Sequence, residues 1–208
     1  MRFNDPLDKI LTSVPKAKIL RFLCRTETEI SGLRLARLLR MSPTTVHKTM
    51  EELVDEQVIV MKIVGNAHAF RLNGGHWLVD KILKPVFRAE DELLTGLKHS
   101  LALWITASSL KDSIMSAALF GSVCSGEEKP DSDIDIFLVV KNEGAVVKVE
   151  EFVAETGMDL RQKTGMLLAP YVLGLNDYKV KARDGLAVIR AVLNRHVHVW
   201  GKRLEDLL

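Results

Sequence analysis

Residues Leu119–Val140, LFGSVCSGEEKPDSDIDIFLVV, read as a buried strand, a glycine turn, a polar loop and a second strand with two carboxylates at its entry. Gly121-Ser122 is followed by ten residues and then Asp133-Ile134-Asp135. Successive side chains of a strand alternate faces, so Asp133 and Asp135 point one way while Ile134 and Ile136 point into a core. Two carboxylates side by side repel unless something positive sits between them, and a divalent cation is the usual answer. The Gly-Ser turn ahead of them offers backbone N–H groups and a hydroxyl that could hold a phosphate. A metal ion together with a phosphate chain is the chemistry of nucleotidyl transfer.

These residues carry a resemblance. Gly121, Ser122, Gly126, Glu127, Pro130, Asp131, Ser132, Asp133 and Asp135 fall where the polymerase-β-like nucleotidyltransferase superfamily, in its small prokaryotic "minimal" branch, places its conserved pattern. Several fixed spacings over about twenty residues make this far more specific than a lone glycine motif. The resemblance implies that Asp133 and Asp135 are catalytic and hold Mg²⁺ or Mn²⁺, and that Gly121 and Ser122 seat the phosphates of a nucleoside triphosphate such as ATP. An acceptor hydroxyl would then attack the α-phosphorus, with catalysis resting mainly on positioning and electrostatics. The sequence also departs from the pattern. Active members usually carry a third carboxylate on a later, adjacent strand, whereas the strand expected over Met166–Leu175, MLLAPYVLGL, has no acidic residue; Asp159 precedes it and Asp177 follows it. A basic residue is common in the family where this chain has Ser125. Losing a metal ligand or base typically costs orders of magnitude in rate.

The chain has 208 residues, 47% hydrophobic and 27% charged, enough for one large domain or two modest ones. Cys24 and Cys124 lie a hundred residues apart with no metal-ligand spacing, which fits a reducing, cytoplasmic setting and not a disulfide framework. No apolar run has membrane length, and MRFNDPLDKI has no apolar leader, so no membrane partner is expected. The net charge of +2 hides an asymmetry: residues 1–75 hold 12 Lys/Arg against 8 Asp/Glu, and residues 76–208 hold 17 against 19. A basic front and a slightly acidic rear suggest different partners.

The front, about Asp5 to Asn73, reads as three helices and a β-hairpin. Pro15 opens the first helix, with Ile19, Leu20, Phe22 and Leu23 apolar. Glu29-Ile30-Ser31 leads into the second, with Leu33, Leu35, Leu38 and Leu39. Ser42-Pro43 supplies an N-cap and a first-turn proline for the third, about Pro43 to Glu56, which buries Val46, Met50, Leu53 and Val54. A strand at Val58–Ile63, a turn at Gly65-Asn66 and a return strand at Ala67–Leu72 complete it. This order resembles the winged helix-turn-helix of bacterial and archaeal transcriptional regulators. The resemblance implies duplex DNA as partner, read by Thr44, Thr45, His47 and Lys48 on the third helix. Lys62, His68 and Arg71 on the hairpin would follow the neighbouring backbone, with Arg34, Arg37 and Arg40 adding charge. A protein-docking module, or the solvated face of a small helical domain, is the competing reading.

Gly74-Gly75 marks an expected boundary, giving a winged helix over 1–75, a helical connector over 76–108 and a nucleotidyltransferase domain over 109–208. In the connector, Trp77, Leu78, Ile82, Leu83 and Val86 form one apolar set, and Leu94, Leu97, Leu101 and Trp104 another. Pro85 is expected to kink or separate the two. The connector reads equally as a homodimerisation helix or as one packed on its own catalytic domain. Beyond it the expected order is strand Met115–Phe120, strand Ile134–Val140, a helix ending near Gly157 or Gly165, strand Met166–Leu175, a helix capped by Asn176-Asp177, and a last helix with Leu186, Ile189 and Leu193. His196 and His198 share one face of a closing strand but have no third ligand.

The fold class is therefore α/β (α+β) in two domains, a winged helix followed by a helical connector and a small mixed sheet with helices. Three functions stay open: a DNA-binding regulator with an active transferase; a regulator whose transferase domain has become a nucleotide or metal sensor; and a transferase whose winged helix docks a protein or RNA, as in toxin–antitoxin pairs where this branch modifies the toxin.

Overall fold

The computed structural model describes residues 3–65 and 67–208 and divides the chain into two compact units, Met1–Leu93 and Leu94–Leu208. In the first unit a short helix, α1 (Leu7–Ile10), precedes α2 (Val14–Thr26), α3 (Gly32–Leu39) and α4 (Pro43–Asp55). Each of the last three begins on a serine whose hydroxyl accepts a backbone N–H: Ser13 from Lys16, Ser31 from Arg34 and Ser42 from Thr45. Val46, Met50 and Leu53 of α4 meet Ile19, Leu20 and Leu23 of α2 in one core. Lys16, nearly buried, ties the helices together by donating to the Lys9 carbonyl at 2.6 Å and pairing with Glu52 at 2.8 Å. In α3 the expected apolar set is only half buried. Leu35, Ala36 and Leu39 form the inward stripe, while Leu33 and Leu38 lie on the other side of the helix and are exposed.

A three-stranded antiparallel sheet closes this unit in the order β1 (Ile30–Ser31), β3 (Ala67–Leu72), β2 (Ile59–Val64). The hairpin register runs from Ile59 opposite Leu72 to Val64 opposite Ala67. Its expected turn includes Asn66, which lies outside the described residues. The strand β1 was not expected; it consists of two residues and exists by pairing Ile30 with Phe70 and Ser31 with Ala69. Three helices with the α3–α4 pair at their centre and a β-hairpin wing constitute a winged helix-turn-helix fold.

After the wing, a π-helical turn (Val79–Leu83) runs directly into α5 (Lys84–Ala107). Pro85 does not interrupt the helix, because Lys84 keeps helical dihedrals. The wider π turn sits where the proline has no N–H to give to the preceding ladder. Leu78, Val79, Leu83 and Phe87 belong to the first unit's core, and Leu101 and Ile105 to a core of the second.

The second unit is built on a four-stranded mixed sheet, β6-β5-β4-β7, comprising β4 (Ile114–Phe120), β5 (Ile134–Val140), β6 (Leu168–Gly174) and β7 (Val197–Gly201). The β5–β6 pair is parallel and the others antiparallel. Between β4 and β5 lies α6 (Gly121–Ser125), a single helical turn where a glycine turn leading into a polar loop was expected. The crossover α7 (Val146–Thr164) ends on Gly165, with Gly157 buried inside the helix against Leu168. Next comes α8 (Leu175–Arg183), then α9 (Ala187–Asn194). Asn176-Asp177 does not cap α8: Gly174 holds the N-cap position and makes no side-chain cap bond. Asp177 lies in the first turn instead, where a negative charge suits the helix dipole.

The sheet separates two cores. Ile134, Ile136, Leu138 and Val140 face the one built with α7 and the end of α5, while Phe137 and Val139 face the one containing Tyr178 of α8 and Ile189 and Val192 of α9. Tyr178, fully buried, donates its hydroxyl to the Leu204 carbonyl at 3.0 Å. No helix among the described residues is long and apolar enough to cross a membrane.

Candidate active site

At the head of β5 the alternation read from sequence holds: Ile134 and Ile136 are buried, Asp135 is half-buried and Asp133 is exposed. Asp135 stands opposite Phe120, the last residue of β4, so its side chain emerges where β4 turns into α6. Gly121 makes that turn at φ +72°, in the left-handed region. A Cβ on Gly121 would overlap Asp135 Oδ2 and lie 2.9 Å from its Cγ. The close approach at this glycine is thus made by a carboxylate of the same chain. Gly126, at φ +71°, ends α6, and the Ser122 carbonyl accepts from Glu127 N at 3.1 Å. The loop then closes a reverse turn at Lys129–Ser132, in which Ser132 Oγ accepts from Lys129 N at 2.8 Å. Pro130 presets the dihedral such a turn needs, and the chain leaves it straight into Asp133.

The electrostatics of the pair are unbalanced. Burial pushes the Asp135 carboxyl above the ordinary range, and the like charge of Asp133 pushes it further. Among the described residues neither carboxylate makes a hydrogen bond or ion pair. A half-buried carboxylate held against a glycine, facing a second carboxylate and lacking a counter-charge, fits a divalent cation. The donor set is incomplete, however. On the adjacent strand Ala169 stands level with Asp135 and Pro170 follows it, Asp159 lies on α7, and Asp177 is 3.6 Å from Lys181. Among the described residues no three His, Cys, Asp or Glu side chains are grouped to hold a metal. Oxygens of a phosphate chain and water would have to complete such a coordination shell.

Ser125 brings no positive charge; its hydroxyl donates to the Ser122 carbonyl at 3.0 Å and lies 3.3 Å from Glu127 Oε2. His196 and His198 do not converge on an ion. His196 Nδ1 is 2.9 Å from the Val192 carbonyl and Nε2 is 3.7 Å from Glu205, whereas His198 Nδ1 is buried without a partner.

In the first unit Thr44, Thr45, His47 and Lys48 are all exposed along α4. Thr45 Oγ1 is 2.7 Å from Ser42 Oγ, and His47 Nδ1 is 3.3 Å from Glu51. Lys62 and Arg71 share one acid: Lys62 Nζ is 2.9 Å and Arg71 Nε 3.6 Å from Glu29 Oε1. Sequence reasoning missed Glu29 because the register of β1 brings it to the wing.

The second unit thus presents two carboxylates beside a glycine turn at one end of a mixed sheet. Residues 105–173 match the family described as "Polymerase beta, Nucleotidyltransferase". No curated protein matches significantly. Among solved structures, a possible transcriptional regulatory protein (fragment 1–100) from Mycobacterium bovis is similar at 20% identity, covering 42% of this chain and 89% of that one, with a TM-score of 0.35. The AntR antimony-specific transcriptional repressor is similar at 21% identity, over 43% of this chain and 78% of that one, with a TM-score of 0.37. A toxin–antitoxin structure with AMP-PNP is similar at 21% identity, over 47% and 71%, with a TM-score of 0.29. The chain carries a polymerase-β-like nucleotidyltransferase domain fused behind a winged helix-turn-helix unit.

Proposed function

We propose that this protein is a DNA-binding regulator whose second unit binds a nucleoside triphosphate with Mg²⁺ or Mn²⁺ and transfers its nucleotidyl group to an acceptor. The observation that carries the reading is the uncompensated pair Asp133 and Asp135, of which Asp135 packs against the Gly121 turn at the start of the family pattern. When bound, the metal would neutralise charge on the phosphates as pyrophosphate departs. Asp133 and Asp135 would hold it, Asp135 being oriented by its seat on Gly121. The Ser122 hydroxyl, without a hydrogen-bond partner among the described residues, is free to donate to a phosphate oxygen. In the first unit, Thr44, Thr45, His47 and Lys48 would face base edges and phosphates, and Lys62 and Arg71 would reach the flanking backbone.

A second reading is favoured by a specific observation: Ala169 stands beside Asp135 where a third carboxylate would lie. Without that group to hold a second metal or accept the attacking proton, the domain would bind nucleotide and report it to the DNA-binding unit. One experiment separates the two. Purified protein is incubated with Mg²⁺ and α-labelled ATP, and both retained label and released pyrophosphate are followed. Metal-dependent release supports the transferase, and binding without release supports the sensor. Absence of both from wild-type protein contradicts the site.

A further inference from the structure

A triphosphate brought to Asp133 and Asp135 adds negative charge to a site that already has two carboxylates, more than one divalent cation balances, so a cation from the chain would strengthen its binding. Neither the Gly121–Ser125 turn nor β6 supplies any. The chain segment that reaches this turn from outside the family match is the start of β7. The register of β4 with β7 pairs Ala118 with His198 and Leu119 with Val197. Continued by two residues, it brings Arg195 level with Gly121. Arg195 ends α9 in an extended conformation, φ −154° and ψ 106°, and its Nη2 donates to the Ser125 carbonyl at 3.4 Å.

Two further observations fix the side from which it comes. Ile189 and Val192 of α9 pack in the same core as Phe137 and Val139, which alternate along β5 on the face shared with Asp135. Cys124, inside the turn, has its thiol pushed up by burial, with the Val197 backbone and Arg195 acting against that and Asp135 adding to it. The guanidinium is exposed, and one long bond to a carbonyl uses one of its five N–H donors.

We propose that Arg195 is a triphosphate-binding residue of this site, supplying from the end of α9 the cation that the turn lacks at Ser125. The inference rests on the nucleotide-binding reading above and adds to it a residue of this chain that grips the polyphosphate. A planar guanidinium anchored by one edge to the Ser125 carbonyl keeps its other edge for a bidentate grip on phosphate oxygens.

The test is binding of labelled ATP with Mg²⁺, and its displacement by inorganic tripolyphosphate, for wild type, Arg195→Gln, Arg195→Lys and Asp135→Asn, with thermal unfolding of each. Loss of a charge-assisted phosphate contact predicts that Arg195→Gln weakens both ATP and tripolyphosphate by about 10- to 100-fold, with partial recovery in Arg195→Lys. Unchanged ATP affinity in Arg195→Gln, beside a wild type that binds, would overturn the role of Arg195 alone. So would a loss for ATP without a matching loss for tripolyphosphate, or one that tracks a fall in thermal stability Arg195→Lys does not repair; each would make Arg195 a clasp on the turn. A wild type that binds neither probe, or an Asp135→Asn protein that binds ATP as well as wild type does, would overturn the underlying site.

Discussion

The charges of the two units are arranged in opposite ways. On the wing, two cations that would meet phosphate are already engaged, since Lys62 and Arg71 share Glu29. At the head of β5 the acids are left facing each other, and Asp135 has its proton affinity raised by burial and by Asp133. Paired surface charges are nearly neutral in energy and easily exchanged for a ligand of the same sign as the partner they lose. A half-buried carboxylate beside a second, exposed one is unfavourable until something of opposite sign arrives. The first arrangement describes a surface that DNA would have to take over from Glu29. The second describes a site whose ligand is part of its electrostatic balance.

The largest effect that can break this contrast is on transfer itself. Changing Asp133→Asn/Asp135→Asn should lower metal-dependent pyrophosphate release by at least two orders of magnitude, measured with α-labelled ATP. Retention of wild-type release would mean that the pair is only solvated surface. Next in size is Gly121→Ala. The new Cβ would displace the Asp135 carboxylate and force a side chain into the left-handed region, costing about 1–2 kcal/mol of stability. Nucleotide affinity should fall along with the unfolding temperature, and a variant that binds normally would show that the Asp135 seat is immaterial.

On the wing the expected changes are smaller and have opposite signs. Lys62→Ala and Arg71→Ala should each lower affinity for duplex DNA and reduce the salt slope by about one unit. Glu29→Gln should raise affinity by about two- to fivefold, because a competing surface carboxylate is removed. Fluorescence anisotropy across a salt series reads both, and weaker binding on Glu29→Gln would invert the assignment.

The smallest effect is on stability against pH. Because the folded-state pKa of Asp135 lies above its ordinary value near 3.8, the folded chain binds this proton more tightly than the unfolded chain does. Its contribution is therefore favourable at low pH and is lost as pH rises from about the unfolded value through the raised folded one. Asp135→Asn should remove that loss, so in metal-free buffer near neutrality the variant should be at least as stable as wild type. Mg²⁺ should stabilise wild type only. Thermal unfolding with EDTA or Mg²⁺ checks both statements, and a variant clearly less stable in EDTA would show that the carboxylate is well compensated in the free protein.

Much of this molecule is legible where local signals and burial agree. Ser42-Pro43 announces α4, alternation with two entry carboxylates announces β5, and the 3-4-3 spacing of Leu94, Leu97, Leu101 and Trp104 announces the inward face of α5. What escaped reading depends on partners distant in sequence. The strand β1 is two residues long and exists only through its pairing with β3. Leu33 and Leu38 read as core yet sit on the exposed side of a short helix. The π turn before Pro85 has no pattern distinct from α-helix over five residues. At the site, the carboxylates and the turn could be read directly, and so could the lack of an acid on the third strand. The seating of Asp135 on Gly121, the hold of Glu29 on the wing and the approach of Arg195 to Ser125 are matters of register, which no local pattern encodes.

The most direct test of the central claim is calorimetric titration of ATP into the purified chain, once with Mg²⁺ and once with EDTA. A site made of two uncompensated carboxylates should repel a polyphosphate on its own and accept it with the cation, so binding should appear in Mg²⁺ and vanish in EDTA. Equal affinity in both would contradict the account, because nucleotide would then be bound without the charge that Asp133 and Asp135 call for.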